Sequence, residues 1–542
     1  MSAFLQLLTS ILATLGAYGL SRLGIFLYRE WTSHLRVVPG PPIRSYFFGN
    51  FTSAGAALWE NSGALHEQWV KEYGKTIVYK GLLGMNRLYT TDLKALSHIM
   101  MHSNTYQKPD MIRYALRHLL GNGVFIVEGE EHKRQRRVMN PAFGPAQIRE
   151  LTEVFVGKSL QLRDIWLSEA QEAGGVLSVN ASTYFSRLTL DVIGLAGFNY
   201  NFDALTTDPK DNELNNAFDK LFKGKGVSAI MVIKALVPAL RWMKTSYDKQ
   251  LDEIRNTMNR IGMELIQKSK TELSEKYSVL ERDSVRGKHL LTLLLRSNMA
   301  SDLPPSQRLT DSEVSAQVPT FLAAGHETTS TATAWTMYAL SLAPHIQSKL
   351  REELLTVGTD NPTMDELNAL PYLDAVVRES MRVHAPIASS MRAATQDDAI
   401  PLETPFTDRN GIVHDYIEVK KGQSLLIPIA AINVDTSLWG EDAHEFRPER
   451  WENLPKAVAG IPGVWGNMLS FLGGPRGCIG WRFSVVETKA IIFTLLRAFE
   501  VELGVPADEI IKGSSLVQRP VLRSRPKDGV QMPLIIKPIQ KV

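Results

Sequence analysis

The sequence has almost no cysteine: Cys478 is the single one among 542 residues. One thiol excludes an intramolecular disulfide, so this fold does not depend on a disulfide framework, and the composition is typical of a reducing compartment. A lone cysteine is by itself most often a small buried apolar residue. Any other interpretation of Cys478 must come from the residues around it.

An excess of either charge is also absent, because 60 Lys and Arg oppose 57 Asp and Glu for a formal net charge of +3. Scattered, balanced charge offers no electrostatic surface for nucleic acid, so we expect no such partner. No Ser/Gly-rich linker, long charge run or fixed-period repeat marks a domain boundary. With 44% hydrophobic residues, one large domain is as plausible as several small ones. We predict one monomeric domain over residues 46–542.

Charge is missing altogether from residues 1–21, where Gln6 is the only strongly polar side chain. As a helix rising ~1.5 Å per residue, this segment spans about 30 Å, the thickness of a bilayer core. Basic residues follow the segment and none precedes it, which predicts a cytosolic body; they are Arg22, Arg29 and Arg36. We therefore expect a transmembrane anchor over 1–28, a basic, Pro-rich hinge over 29–45, and residence at the endoplasmic reticulum membrane. A cleaved signal peptide is the alternative, but it would carry a basic N-terminal region.

The periodicity of the remaining chain predicts a mainly α-helical fold with small β-sheets, an α+β arrangement. Regular strand–helix alternation is missing, which argues against a doubly wound sheet. The helical pattern dominates residues 94–350. The predicted strands are Thr76–Tyr79 and Arg87–Thr91 as a hairpin, Ile412–Val419 and Ser424–Ala431 as a second sheet, and Val530–Ile536.

Cys478 lies in a glycine-rich loop, since four glycines and one proline fall between Phe471 and Gly480, and an apolar helical stretch follows. A cysteine where such a loop enters a helix faces backbone N–H groups, which stabilise its thiolate, the form that binds metal. Gly474 and Gly480 allow the backbone to approach a flat macrocycle closely. Arg476 can reach an acidic substituent on that macrocycle.

The spacing Phe-x-x-Gly-x-Arg-x-Cys-x-Gly resembles the haem-binding loop of the cytochrome P-450 family at every fixed position. The resemblance implies the cytochrome P-450 fold, haem b as cofactor, and Cys478 as axial ligand of the haem iron, with Phe471 and Arg476 also binding the cofactor. A thiolate ligand pushes electron density toward bound dioxygen and favours O–O cleavage. Two further family signatures follow in the expected order.

The first of these is Ala323-Ala324-Gly325-His326-Glu327-Thr328-Thr329, within a long helical pattern. Gly325 in mid-helix costs about 1 kcal/mol relative to Ala, and threonine hydroxyls can bond back to preceding carbonyls, which together would open a groove beside the cofactor. Polar packing is the alternative for a threonine pair. The resemblance implies that Thr328 holds water at bound dioxygen and that Glu327 relays protons, the two catalytic roles.

The start of this helix carries two further signals. Thr310 and Glu313 form a capping-box pattern. Pro319 should kink or break the helix that follows.

The second signature is Glu379 with Arg382, which share one helix face at i, i+3. The resemblance implies that these two residues interlock with Arg450 as a structural triad behind the haem loop. It also implies that Arg136 and Arg392 contact haem propionates. His132 stands where the family usually has tryptophan, and it can still hydrogen-bond a propionate. A solvated helix face is the alternative for the basic cluster around Arg136, and that cluster is also a candidate surface for an acidic electron donor.

Electrons must come from another protein, because Gly121-Asn122-Gly123 is followed by Ile126 where the dinucleotide fingerprint needs glycine. The resemblance implies an NADPH-dependent flavin reductase. A lipophilic small molecule, of the terpenoid, steroid, specialised-metabolite or xenobiotic kind, is the expected substrate. The candidate pocket segments are Val124–Phe125, Asn215–Met243, Phe321–Ala324, Ile387–Ala388 and Ser514–Val521. The alternatives to a monooxygenase are a haem-thiolate isomerase or dehydratase and a non-catalytic haem-binding protein.

Overall fold

The computed structural model describes residues 2–51, 63–207, 213, 234, 240–279, 289–299, 304–513 and 516–539. Most of the predicted pocket segment Asn215–Met243, and residues 514–515 of another, lie outside the described residues. The α-helices of the described part are α1 Ser2–Trp31, α2 Gly63–Tyr73, α3 Leu93–Met101, α4 Asp110–Leu120, α5 Gly129–Met139, α6 Pro145–Glu172, α7 Ala181–Phe198, α8 Ser246–Val279, α9 Leu290–Met299, α10 Asp311–Ser315, α11 Gln317–Ser341, α12 Pro344–Leu355, α13 Met364–Asn368, α14 Pro371–Val383, α15 Ile429–Asn433, α16 Thr436–Trp439 and α17 Trp481–Ala498.

The strands are short and lie mainly toward the two ends of the chain, so the prediction of a mainly helical fold with small sheets is confirmed. They are β1 Thr76–Lys80, β2 Asn86–Thr90, β3 Tyr106–Gln107, β4 Leu177–Asn180, β5 Ser390–Ala394, β6 Asp398–Thr407, β7 Val413–Val419, β8 Ser424–Ile427, β9 Phe499–Leu503, β10 Ile510–Lys512, β11 Pro520–Leu522 and β12 Pro533–Pro538.

One compact unit comprises Met1–Gln107 and Ser389–Pro428. Its main sheet has the strand order β1-β2-β8-β5-β3, and the predicted β1–β2 hairpin is present as an antiparallel pair. The second predicted sheet is wrong in its pairing. Strand β7 pairs with β6, whereas β8 joins the first sheet parallel to β2 and the following residues form α15. Parallel pairing between distant segments leaves no local sequence signal.

The N-terminal helix α1 extends ten residues past the predicted apolar segment, to Trp31. Its last turn is fastened to the same unit: Glu30 accepts a hydrogen bond from the Asn86 backbone N–H at 2.7 Å, and Arg29 donates to the Lys421 carbonyl oxygen at 2.6 Å. The start of the predicted 29–45 hinge is therefore packed. Within the part of the chain that the structure describes, no helix combines the length and apolar character needed to cross a membrane. The predicted transmembrane anchor is not supported.

The other compact unit comprises Lys108–Ala388 and Ile429–Val542, and it holds most of the helices. Helix α11 runs through its core, with Trp335, Met337 and Leu340 buried, and packs against α7 and α17. Strands β4, β12 and β9 form a small antiparallel sheet at its edge. Every predicted site residue except Arg392 belongs to this unit.

The helical pattern before the Thr328 motif is interrupted, as Pro319 predicts. The predicted capping box is present, with the Glu313 N–H donating to Thr310 Oγ1 at 3.2 Å, but it caps the short helix α10. A single turn residue, Ala316, separates α10 from α11, and its backbone angles stay in the right-handed helical region. Pro319 therefore falls in the first turn of α11, where its missing N–H costs little.

Gly325 allows α11 to pack closely on α7. A Cβ atom at Gly325 would lie 2.9 Å from Ile193 Cδ1, and the Thr189 hydroxyl of α7 donates to the His326 carbonyl oxygen at 3.0 Å. Gly325 was predicted to bind the cofactor. The structure gives it a packing role, because α7 fills the direction in which a side chain would point, and its contact with the cofactor stays a prediction.

Replacing Gly325 with Ala should therefore destabilise the protein by about 1–3 kcal/mol, the usual cost of overpacking. The substitution I193A should cost less in the G325A background than in wild type, because there it also removes the clashing atoms. Urea unfolding followed by circular dichroism measures both.

The matched control is Gly157, in the exposed face of α6, where a Cβ would meet nothing within 4 Å. G157A should stabilise the protein by about 1 kcal/mol, since Ala has the higher helix propensity. Equal effects of G325A and G157A would contradict the close-packing interpretation.

Candidate functional site

The loop before α17 presents Cys478. The Cys478 N–H donates to the Phe471 carbonyl oxygen at 2.8 Å, and the Gly477 N–H donates to the Gly474 oxygen at 3.0 Å, so two hydrogen bonds close the loop on itself. Gly474 has a φ of 64°, a left-handed conformation that favours glycine. Gly473 lies against the Pro462 carbonyl, leaving no room for a Cβ. Gly473 and Gly474 are therefore required by the loop's own geometry.

The Cys478 side chain is accessible although protein atoms surround it closely. It is exposed, yet burial is the largest cause that raises the pKa of its thiol. Both observations hold when the sulfur borders a cavity that the protein encloses. The Gly480 N–H and the charge of Arg136 act in the other direction and lower the pKa. Protein groups alone do not offset burial, whereas a bound metal ion deprotonates a coordinating thiol outright.

Basic side chains gather beside this loop. Arg136 Nη1 donates to the Gly477 carbonyl oxygen at 2.7 Å; burial lowers the pKa of Arg136, and the charge of Cys478 acts against that shift. Arg476 forms an ion pair with Glu128 and donates to the Val127 oxygen at 2.9 Å; burial lowers its pKa to about 10. These two cations suit a cofactor that brings acidic groups.

Arg113 of α4 was missed by the sequence analysis, although its charge further lowers the pKa of Arg476. Its Nε atom is buried and has no hydrogen-bond partner among the described residues, and its guanidinium lies 3.6 Å from Asp110. An orphaned donor next to Arg476 fits the two carboxylates of a haem. The residues present therefore suit haem: a thiol for the iron, and Arg113, Arg136 and Arg476 for the propionates.

His132 is buried in α5, and burial, followed by the charges of Lys108 and Arg136, lowers its pKa to about 4. Its imidazole is therefore neutral at pH 7 and keeps one N–H donor. Arg392 lies in β5 of the other unit, where it is buried and donates to Ser390 Oγ at 2.6 Å. The contacts of His132 and Arg392 with propionates stay predictions.

The Thr328 turn of α11 has the predicted back-bond, because Thr328 Oγ1 donates to the Ala324 carbonyl oxygen at 2.6 Å. Ala324 is exposed and Thr328 half-buried, although most of α11 is buried. This face of the helix therefore borders open space. Thr329 points elsewhere, toward α17, where its hydroxyl donates to Ser484 Oγ at 3.1 Å.

Glu327 is held in an ion pair by Arg519. Arg519 follows Gln518, whose carbonyl oxygen accepts a hydrogen bond from Trp335 Nε1 at 2.7 Å, so the C-terminal segment is fastened to α11 at two points. From the sequence, Arg519 was predicted only as part of the candidate pocket segment Ser514–Val521. A neighbouring guanidinium favours the carboxylate form of Glu327.

The Glu379 carboxylate organises the core behind the loop. It is 0% exposed and accepts hydrogen bonds from Arg382 Nη2 at 2.7 Å and Nε at 2.9 Å. Arg450 Nε donates to it at 3.2 Å, and Trp451 Nε1 at 3.0 Å. The three-residue contact that the resemblance implied is present, and Trp451 adds a neutral donor.

Asn433 connects this cluster to the cysteine loop and was missed by the sequence analysis. Arg382 Nη1 donates to its carbonyl oxygen at 2.8 Å. Its side chain accepts from the Leu469 N–H at 2.8 Å and donates to Ser470 Oγ at 2.7 Å. Leu469 and Ser470 directly precede Phe471, so the buried ionic cluster positions the start of the loop through one amide side chain.

Comparison with known proteins agrees with this arrangement. The family model described as cytochrome P-450 matches residues 39–524. Cytochrome P-450 monooxygenase 205 of Postia placenta is 56% identical over 514 residues, covering 94% of each chain. Monooxygenase 128 of the same fungus is 48% identical over 97% of this chain and 96% of its own, and monooxygenase claP of Ampulloclitocybe clavipes is 34% identical over 95% of each. The chain belongs to the cytochrome P-450 family of haem-thiolate proteins and is a monooxygenase.

Replacing Glu379 with Gln should destabilise the protein by about 3–5 kcal/mol, because buried Arg382 loses its countercharge and Arg450 keeps only Asp442. The measurement is the urea midpoint of unfolding. The matched control is E264Q, which breaks the exposed i, i+4 pair with Arg260 and should cost less than about 1 kcal/mol. Similar midpoints for E379Q and E264Q would show that the cluster does not hold the fold.

Proposed function

We propose that this monooxygenase binds haem b and inserts one oxygen atom from dioxygen into a lipophilic small molecule, using electrons from an NADPH-dependent flavin reductase. The observation that carries the proposal is the Cys478 thiol, presented to enclosed open space by a loop closed on itself. A bound haem supplies the redox-active iron that activates dioxygen. Side chains of this protein ligate the iron, bind the cofactor, orient water and pass protons.

Each group has a chemical task that follows from its contacts. Cys478 is the iron ligand, and the Gly480 N–H and Arg136 stabilise its thiolate. The Thr328 hydroxyl, on the open face of α11, accepts and donates hydrogen bonds and so orients water and passes protons. Arg113, Arg136 and Arg476 bind the acidic groups of the cofactor.

An apolar cluster supports a lipophilic substrate. Leu116, Leu120 and Ile126 pack together, and Ala323 of α11 and Leu516 of the C-terminal segment pack against them. Three separate segments thus bring apolar side chains to the helix that carries Thr328. Apolar walls with few polar groups favour hydrophobic ligands. A terpenoid, steroid, specialised metabolite or xenobiotic fits this chemistry.

Location and assembly are part of the proposal. We infer that the enzyme resides at the endoplasmic reticulum membrane, with its catalytic domain on the cytosolic side, and acts as a monomer. The support is the charge-free segment 1–21 followed by arginines. Fractionation of the expressing cell, with sizing of the detergent-extracted protein, checks both points.

Replacing Cys478 with Ala should abolish the red-shifted Soret band that thiolate-ligated haem gives in its reduced carbon monoxide complex. The thiolate is the electronic cause of that shift, so no other side chain replaces it. The neighbouring variant I479V keeps the thiol and should keep the band. Retention of the band in C478A would contradict ligation by Cys478.

Replacing Thr328 with Ala should lower product per NADPH about tenfold or more, since a positioned proton-transfer group is typically worth at least that factor. NADPH should instead appear as hydrogen peroxide, measured with the reductase and a panel of lipophilic compounds. The control is T333A on the same helix, where a buried hydroxyl makes the same back-bond, to the Thr329 oxygen at 2.9 Å. T333A should stay coupled. Full coupling in T328A would remove Thr328 from proton transfer.

A further inference from the structure

Glu128 is a buried carboxylate beside the cations that suit the acidic groups of a cofactor, and none of the roles above uses it. Its side chain is 5% exposed, and it directly precedes α5, the helix that carries His132 and Arg136. A haem brings two carboxylates of its own. A third carboxylate among the same cations repels them and weakens cofactor binding. Its presence therefore points to an effect of its charge on the bound cofactor.

Glu128 binds the arginine of the cysteine loop. It forms an ion pair with Arg476, whose side chain is 7% exposed. Arg476 Nη1 also donates to the carbonyl oxygen of Val127 at 2.9 Å, so two consecutive residues bind one guanidinium. A guanidinium carries five N–H donors in a rigid fork, and fixing two of its nitrogens sets the direction of the remaining donors. Val127 and Glu128 thus determine how Arg476 can reach a cofactor.

Lys108 is the second cation at Glu128. Its backbone N–H donates to Glu128 Oε1 at 3.1 Å, and its ammonium nitrogen lies 3.7 Å from the same oxygen, with the side chain 11% exposed. Burial, followed by the charge of Lys108, lowers the pKa of His132, so this lysine acts electrostatically on a residue predicted to contact the propionates. Lys108, Glu128 and Arg476 therefore form two linked ion pairs of alternating sign, with little access to water.

The low exposure of these three groups gives their charges a longer reach. Water and salt screen buried charges much less than exposed ones. Reduction of a haem iron adds one negative charge to the site. A buried carboxylate nearby opposes that addition, whereas a buried cation favours it. Because hydrogen bonds and burial around a haem tune its reduction potential, the charge that holds Arg476 acts on that potential as well.

We propose that Glu128 is a positioning residue that sets the reduction potential of the bound haem. It holds Arg476 toward the cofactor and keeps the potential lower than the surrounding cations alone would make it, while Lys108 acts in the opposite direction. No bond forms or breaks: the reductase passes one electron to the haem with or without Glu128, which changes only the equilibrium of that transfer. The proposal rests on the haem binding of the proposed function.

Spectroelectrochemical titration of the substrate-free holoenzyme measures the potential directly. E128Q keeps the size of the side chain and an acceptor for Arg476 but removes the charge. The potential should therefore become more positive, by on the order of tenfold in the equilibrium constant for reduction. K108M should make it more negative. The double variant E128Q/K108M should fall near wild type, because the two charges removed have opposite signs.

An exposed pair at the start of the same helix supplies matched controls. Glu130 and Lys133 lie 2.6 Å apart with side chains 82% and 52% exposed, so E130Q and K133M should each change that equilibrium constant by less than about twofold. An E128Q shift no larger than that of E130Q, or one toward a more negative potential, overturns the proposal.

K108M decides the question if E128Q takes up too little haem to measure. A shift of K108M toward a more positive potential, or one no larger than that of K133M, then overturns the proposal. A holoenzyme that shows the expected shifts but oxidises no compound with the reductase contradicts the proposed function and supports this proposal.

Discussion

The buried carboxylate of Glu379 is the interaction on which the site depends. It takes hydrogen bonds from Arg382, Arg450 and Trp451, so two buried guanidinium groups meet at one carboxylate, and Arg450 also pairs with Asp442. A buried ionic cluster of this kind adds little net stability, because desolvation offsets attraction. The cluster instead contributes geometry, because a planar guanidinium donates in fixed directions and so fixes the positions of the acceptors that it bonds. Through Asn433, that geometry reaches the residues that begin the cysteine loop.

The loop in turn holds Cys478 in surroundings that do not suit a free thiolate. Burial outweighs the Gly480 N–H and the Arg136 charge in setting the thiol's pKa. Burial likewise lowers the pKa of Arg476, and the Nε atom of Arg113 has no hydrogen-bond partner among the described residues. A buried thiol beside basic side chains suits a cofactor that has a metal centre and acidic substituents.

What the sequence predicted well was local. The glycine-rich loop, the Thr310 capping box and the β1–β2 hairpin depend on residues close in the chain, whose spacing determines their geometry. The contacts that the sequence did not reveal join distant segments: Arg519 to Glu327, Asn433 to Leu469, and β8 parallel to β2. No spacing rule connects such residues, because chain topology decides which side chains meet. Gly325 is an intermediate case. A glycine in the middle of a helix could be predicted to have a structural reason, but the sequence did not identify Ile193 as the neighbour that leaves no room for a side chain.

Helix α11 explains why these long-range contacts matter for chemistry. Two contacts hold the side of α11 that faces away from the open space: Gly325 packs against α7, and Thr329 hydrogen-bonds Ser484 of α17. Pro319 lies in the first turn of α11, so the break in the helix comes before the motif begins. The helix can then leave Ala324 and Thr328 facing open space without losing its position. Gly325 and Thr329 each make one of these contacts, so neither contributes to the face of α11 that borders the open space. Thr328 alone of the two threonines faces that space, because the Thr329 hydroxyl is hydrogen-bonded to α17.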